Sequence, residues 1–301
     1  MQPTFSIIIP TFNRPQKLKS CLESLARLDY PRDRFEVAIV DDESDAPPDA
    51  AVAPFRAELD ILLLKQSHAG PAAARNTGAA AAKGRYLAFT DDDCQPAPDW
   101  LTKLAARYGS LPDCAIGGRT VNGLTHNPYA ACSQLLIDYL YSHYQASSGG
   151  LFFTSNNLAL PAEMFRKMGG FDTTFTCAGG EDRELCNRWL AQGYPMLYAA
   201  EAIVYHFHTL DLFTFWRQHF NYGRGAFRFH RLRAASGQRS LRVEPLSFYF
   251  KLLRFPFAKA QNGEALLQSA LLFVTQAANA SGFFWEMASR PNSRLSTIRK
   301  R

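Results

Sequence analysis

Two hydrophobic rhythms alternate along the first two thirds of the chain. Residues 5–9 (FSIII) form a continuous, largely β-branched apolar run, the pattern of a strand buried on both faces of a parallel sheet, and residues 35–40 (FEVAIV) predict a second strand. Between them Leu18, Cys21, Leu22, Leu25 and Leu28 recur at helical spacing, which predicts an amphipathic crossover helix over 16–28. Residues 46–58 predict partial helix, 61–65 (ILLLK) a third strand, 75–82 an Ala-rich helix closed by Lys83-Gly84, and 86–90 a short buried fourth strand. Strand and helix alternate throughout, so residues 1–100 predict half of an α/β protein whose ligand crevice lies at the carboxyl ends of the strands.

The rhythm is less regular afterwards. Trp100, Leu101, Leu104 and Tyr108 predict the buried face of a helix started by Asp99, Gly117-Gly118 a turn, and Leu135, Leu136, Tyr139 and Leu140 another helix before a Ser/Gly loop at 147–150. Residues 152–160 (FFTSNNLAL) predict a strand interrupted by Ser155-Asn156-Asn157, and 161–168 a short helix. Buried amides need partners, and a β-bulge, a strand-end cap or the hydroxyls of a ligand would supply them at Asn156. Leu185, Trp189 and Leu190 bury one face of a helix, and 202–205 predict a strand. Residues 266–285 are apolar but broken by Gln268, Gln276, Asn279 and Ser281, which predicts a packed or interfacial helix rather than a membrane span. The basic segment 290–301 reads as disordered.

Charge separates two regions that hydropathy alone does not. The 301 residues carry a net charge of +6, yet residues 1–216 hold 18 basic against 24 acidic side chains and the remainder 15 against 3. An acidic body of 1–210, whose first hundred residues read as a nucleotide-binding half, therefore precedes a basic, aromatic, mainly helical extension at 211–301. The extension's charge points to an anionic partner, best met by a membrane surface; no RNA or DNA motif accompanies it, so no nucleic-acid partner is expected. Six scattered cysteines without a C-x-x-C pair read as free thiols, and no basic n-region precedes the first strand. Both point to a cytoplasmic chain, peripheral on the inner face of a membrane if the extension binds one.

Acids at strand ends bring in the chemistry. Asp41-Asp42 closes the second strand and Asp91-Asp92-Asp93 the fourth, while Gly179-Gly180-Glu181-Asp182 places two carboxylates in the first turn of a helix. A triplet such as 91–93 is either a solvated turn or the edge of a site where a divalent metal carrying a diphosphate offsets the repulsion. No G-x-G-x-x-G or G-x-x-x-x-G-K-[ST] loop is present, so phosphate must be held by metal or arginine. Glu181 and Asp182 could act chemically or merely favour the helix dipole. Tyr139, Tyr141, His143 and Tyr144 could stack on the rings of a ligand or form a packed aromatic helix.

The motifs SIIIPTFNR (6–14), VAIVDDESD (37–45), ARNTGAAAAKGRYLAFTDDD (74–93), SNNLALPAEMFRKMGGFD (155–172), GGEDRELCNRWLAQGY (179–194) and YAAEAIVYHFH (198–208) together resemble the family 2 glycosyltransferases. The resemblance covers residues 5 to 208 and implies the GT-A fold, a three-layer α/β/α sandwich with a mostly parallel central sheet, with 101–210 as the acceptor half and the helical extension following it. It implies an inverting, metal-dependent transfer of a sugar from a nucleotide-sugar, UDP-linked, to a hydroxyl of a glycan or lipid-linked acceptor. Residue by residue it implies that Asp41 or Asp42 holds the base, that Thr11 and Arg14 lie beside the nucleotide, and that Arg75 faces the base or diphosphate unless it only starts a helix. It implies further that Asp91 and Asp93 form the D-x-D pair with Asp92 in support, that Asp93, Asp91 and His206, in preference to His208, hold Mn2+ or Mg2+, and that Asn156 lies near the sugar. Asp182 would be the general base, with Glu181 sharing or replacing it. Two other readings keep the same layout: a metal-dependent nucleotidyltransferase, against which the glycine-free loop 10–14 speaks, and a non-catalytic membrane-surface scaffold.

Overall fold

The structure is a computed structural model that describes residues 3–146, 152–175, 179–237 and 244–289. The loop at 147–150, Cys177 and the segment 290–301 lie outside the described residues. The chain divides into two compact units, Met1–Leu210 and Asp211–Arg301.

The first unit is built on one sheet. In chain order it contains β1 (Phe5–Thr11), α1 (Pro15–Leu25), β2 (Phe35–Asp41), α2 (Asp49–Val52), β3 (Ile61–Lys65), α3 (Pro71–Ala81), β4 (Tyr86–Phe89), β5 (Cys94–Pro96), α4 (Trp100–Ser110), β6 (Ala115–Asn122), α5 (Pro128–Ala146), β7 (Leu158–Pro161), α6 (Ala162–Lys167), α7 (Glu181–Ala191) and β8 (Met196–His206). The strand order is β3-β2-β1-β4-β7-β6-β8-β5. Pairing is parallel from β3 to β4 and between β6 and β8, and antiparallel where β7 joins β4 and β6 and where β5 joins β8.

Every residue of β1 and β2 is buried, because helices cover both faces. Phe5, Ile7, Ile9, Val37 and Ile39 join the core with α1 and α4, whereas Ile8 and Ala38 face the opposite core with α3, α6 and α7. That period of two across the sheet yields the three layers. The small residues of α3 let it lie close to the sheet: a Cβ on Gly78 would sit 2.7 Å from Ile8 Cγ2.

The sheet cannot be flat. Four spacings of about 4.8 Å separate β4 from β5 in the strand order. Yet only residues 90–93 connect them, and the bond from Cys94 N to Asp91 O (3.0 Å) turns that connection back on itself. The sheet therefore curls, and the acidic triplet is the chord that joins its middle to its far edge.

Three local expectations change. Gly117 and Gly118 lie inside β6 rather than in a turn, since a Cβ would meet the Phe153 ring at 2.1 Å and Ala202 O at 2.3 Å. The strand expected at 152–160 begins only at Leu158, after a 3-10 turn, Ser155–Asn157. Asn157 dictates it: its Oδ1 accepts from Trp100 Nε1 (2.9 Å) and its Nδ2 donates to Arg119 O and Ala202 O (3.0 Å each). The strand expected at 202–205 spans Met196–His206.

The second unit contains α8 (Leu212–Ala235), α9 (Leu246–Arg254) and α10 (Asn262–Ser289). Helices α8 and α10 touch backbone to backbone, where a Cβ on Gly223 or Gly282 would fall 1.9 Å from Asn279 O or Phe220 O. Beside that crossing Glu286 accepts from Arg224 Nε (2.9 Å) and Arg228 Nε (2.8 Å). None of the described helices is long and apolar enough to cross a membrane.

Candidate active site

Strand ends position the acids. Backbone bonds tie the loops after β1 and β2 together, Asn13 N donating to Ser44 Oγ (2.8 Å) and Asp45 N to Asn13 Oδ1 (2.8 Å). Within that frame Asp41 is buried and its Oδ1 accepts from Ser44 N (3.0 Å). Asp42 is spent on the chain itself: Gln66 Nε2 (2.7 Å), Ala69 N and Gly70 N (2.9 Å each) all donate to it, and His68 Nδ1 lies at 3.0 Å. It thereby fixes the entry to α3, where Gly70 has φ +88°.

The triplet 91–93 is not a solvated turn, since Asp92 and Asp93 are buried. The three carboxylates meet different sets of partners, with Arg14 shared between Asp92 and Asp93. Asp91 Oδ1 accepts from Arg75 Nη2 at 2.7 Å. Asp92 Oδ2 accepts from Thr11 Oγ1 at 2.8 Å, with Arg14 Nη2 3.2 Å from its Oδ1. Asp93 Oδ2 accepts from Arg14 Nη1 (3.1 Å) and Lys17 Nζ (3.3 Å), and its Oδ1 lies 3.2 Å from His206 Nε2. Cations of the chain itself thus offset the repulsion.

Main-chain register sets the last contact. β5 pairs with β8 so that Cys94 lies opposite His206, and Phe207 N donates to Asp93 O at 2.8 Å. His208 follows on the same stretch, and ligand atoms of Asp93, His206 and His208 lie within 4.8 Å of one another. This group differs from the expected set of Asp93, Asp91 and His206, because Asp91 is engaged by Arg75. Burial favours neutral side chains here, yet His206 and Arg14 outweigh it at Asp93, whose pKa is lowered. The same carboxylate, against the effect of burial, raises that of His206. Burial and His206 push His208 down to about 4, leaving a neutral imidazole. One carboxylate and two imidazoles are a donor set that could hold a divalent metal cation.

The second acidic centre opens α7. Gly179 and Gly180 have φ +133° and +97°, conformations that admit glycine and let the backbone turn into the helix. Glu181 is buried and saturated: Gly179 N donates to Oε2 (2.8 Å) and Arg75 Nη1 to Oε1 (3.3 Å). Asp182 is partly exposed, accepts from Arg183 N (2.7 Å), and is hydrogen-bonded by the Ser155 backbone. Burial, then the neighbouring Glu181 charge, raise its pKa to about 7.

Arg75 is more than a helix-start residue. Fully enclosed, it bridges Asp91 and Glu181 and so links the two acidic centres. Asn156 is buried, its Oδ1 accepting from Thr120 Oγ1 (3.2 Å) and Thr154 Oγ1 (2.8 Å), which makes it part of the turn supporting Asp182. Tyr139 and Tyr141 are buried in α5, Tyr141 O–H taking part in the same turn through Thr154. Sequence reading passed over Lys17, whose only signal is its place three residues after Arg14, and gave His208 little weight beside His206.

Comparison with known proteins bears on this arrangement. Residues 6–169 match the family described as Glycosyl transferase family 2, and 136–209 match the N-terminal domain of galactosyltransferase. Validoxylamine A glucosyltransferase of Streptomyces hygroscopicus subsp. jinggangensis is 31% identical over 229 residues, covering 66% of this chain and 54% of that protein. The pre-mycofactocin glycosyltransferase of Mycobacterium tuberculosis is 30% identical over 213 residues, covering 69% and 43%. The chain thus spans about half the length of these relatives. Among solved structures, a mannosyltransferase from Pyrobaculum calidifontis in complex with GDP-Man and Mn2+ superposes with TM-score 0.62 at 19% identity, covering 93% of this chain and 87% of that one. S. aureus TarS 1-349 in complex with UDP-GlcNAc superposes with TM-score 0.56 at 18% identity, covering 95% and 91%. With its α/β layers, curled sheet and matched motifs, the chain adopts the GT-A fold and belongs to glycosyl transferase family 2.

Proposed function

We propose that the protein is an inverting, metal-dependent glycosyltransferase that moves a sugar from a nucleotide-sugar, UDP-linked, to a hydroxyl of a glycan or lipid-linked acceptor. The observation that carries this reading is the pairing of a half-buried aspartate of pKa about 7, Asp182, with a second centre of Asp93, His206 and His208, while Arg75 bridges the neighbouring carboxylates Glu181 and Asp91. A proton acceptor and a diphosphate-stabilising edge are the two things the reaction needs.

Asp182 takes the proton of the acceptor hydroxyl as its oxygen attacks the anomeric carbon from the face opposite the diphosphate. The bond from that carbon to the diphosphate oxygen breaks, its electron pair stays with the leaving group, and the configuration inverts. A carboxyl of pKa about 7 is half ionised near neutrality while remaining a stronger base than an ordinary aspartate. Glu181, neutralised by Arg75, holds the helix start instead of competing for the proton. Asp41, which gives one oxygen to Ser44, would accept from the base N–H, and Thr11 and Arg14 would flank the nucleotide. Asp93, His206 and His208 would hold the divalent cation, Mn2+ rather than Mg2+ given two imidazoles, and Asp91 would orient Arg75 at that edge. When bound there, the cation offsets the charge that develops on the diphosphate.

For the second unit the same proposal includes docking on an anionic membrane. Of the large apolar side chains exposed in the described residues, those from Leu212 to Met287 far outnumber those in the first unit. On α10, Leu266, Phe273 and Phe284 recur on one helical face whose neighbours Ala270, Ala277 and Ala288 are uncharged. Flotation with vesicles rich in phosphatidylglycerol tests this; a chain that stays off them at low salt would refute it.

The reaction is tested by incubating the chain with Mn2+, a simple glycan or lipid acceptor and a panel of UDP- and GDP-sugars. Release of nucleoside diphosphate that depends on both metal and acceptor is expected. Neither binding nor release with any donor would refute the proposal.

A further inference from the structure

Asp93 makes two kinds of contact at once. Its Oδ1 faces His206, on the edge shared with His208, while its Oδ2 accepts from both Arg14 and Lys17. Arg14 is the N-cap of α1 and Lys17 lies in that helix's first turn, so one turn of helix delivers both cations. Their side chains are 43% and 32% exposed, whereas that of Asp93 is 4% exposed. Two solvent-reaching cations thus bend inward onto one buried carboxylate.

That arrangement conflicts with a divalent cation on the same carboxylate. A metal held by Asp93, His206 and His208 would be repelled by Lys17 and Arg14 at short range unless an anion came between them. A diphosphate supplies such an anion: its oxygens suit the arginine fork and the lysine point charge, and they bridge to the metal.

We propose that Lys17, acting with Arg14, is a counter-ion that holds Asp93 in the unliganded chain and moves to the phosphate oxygens when a nucleoside diphosphate binds, coupling diphosphate and metal binding. The inference rests on the reading of Asp93, His206 and His208 as the metal edge. Lys17 is here a positioning and phosphate-binding residue outside the proton-transfer step. Because coupling between two ligands is reciprocal, each must tighten the other by the same factor.

The test reads binding, not turnover. Mn2+ affinity is measured by electron paramagnetic resonance of the free ion, and UDP affinity by calorimetry, each with and without the other ligand and corrected for Mn2+–UDP complexes in solution. Wild type, Lys17→Met and Lys17→Arg are compared, with circular dichroism confirming that α1 is intact. In the wild type, saturating UDP is expected to tighten Mn2+ about tenfold. Lys17→Met should bind Mn2+ alone several-fold more tightly, bind UDP in EDTA several-fold more weakly, and lose most of the coupling, while Lys17→Arg keeps it. A wild-type coupling that Lys17→Met leaves intact, or Mn2+ bound no more tightly by that variant, overturns the inference alone. A wild-type chain that takes up no Mn2+ even with UDP overturns the metal reading and the inference with it.

Discussion

The molecule contains two pairs of adjacent acids, Asp92-Asp93 and Glu181-Asp182, that solve the same electrostatic problem with opposite results. In each pair one carboxylate is saturated by cations or backbone donors: Asp93 by Arg14, Lys17 and His206, Glu181 by Arg75 and Gly179 N. In each pair burial raises the other carboxyl to about 7. The difference is access. Asp92 is fully enclosed and clasped by Thr11 and Arg14, so its proton belongs to the fold; Asp182 is partly exposed at the start of α7, so its proton can be exchanged with a ligand. A raised pKa therefore marks a catalytic acid or base only where a substrate can reach it.

The largest expected effect tests that contrast directly. Asp182→Asn should lower kcat about 10²- to 10⁴-fold with little change in donor KM, and Glu181→Gln far less. Steady-state kinetics in which Asp182→Asn retains wild-type kcat would erase the distinction between the pairs. Next, Asp93→Asn should weaken Mn2+ about 10- to 100-fold, whereas Asp92→Asn should leave it nearly unchanged. Equal losses in a metal titration would mean that the triplet acts as one ligand.

A smaller effect concerns pH. Asp182 must be ionised to accept a proton, so kcat/KM should fall about tenfold per unit below its pKa and level off above about 7. Asp182→Asn should remove that inflection, and a profile with the same inflection in the variant would assign it to another group. The smallest effect concerns stability. The folded-state pKa of Asp92 lies above its ordinary value of 3.8, so its protonated form favours the fold. That contribution is complete below the ordinary value and is lost as pH rises through about 7. Asp92→Asn, neutral at every pH, should show a shallower fall in Tm than the wild type between pH 5 and about 8. Parallel curves by differential scanning fluorimetry would place the enclosed proton elsewhere.

Elements whose burial is nearly complete were legible in the sequence. β1, β2 and β4 are mostly apolar because both faces are covered, with Ser6 and Glu36 paired to each other inside β1 and β2, and α1 and α4 show their inward residues at helical spacing. β5 was not legible, for it holds three residues, CQP, whose strand character comes from pairing with a partner more than a hundred positions away. Gly117-Gly118 read as a turn because glycine frees the backbone; in β6 it is the missing Cβ, beside Phe153 and Asn157, that matters. The site divides in the same way. Its acids stood out as clusters at strand ends, but their partners did not, since Lys17 meets Asp93 across 76 positions and Arg75 meets Glu181 across 106. Spacing along a chain carries little information about contacts that the curl of a sheet creates.

That curl makes residues 93 and 206 a socket. Main-chain bonds between β5 and β8 hold the two positions together, with Cys94 opposite His206 and Phe207 N on Asp93 O, in addition to the contact between their side chains. Ion preference should therefore be exchangeable without rebuilding the scaffold. Installing Asp93→Cys with His206→Cys would present thiolates on the same ladder and should shift the proposed metal edge towards zinc.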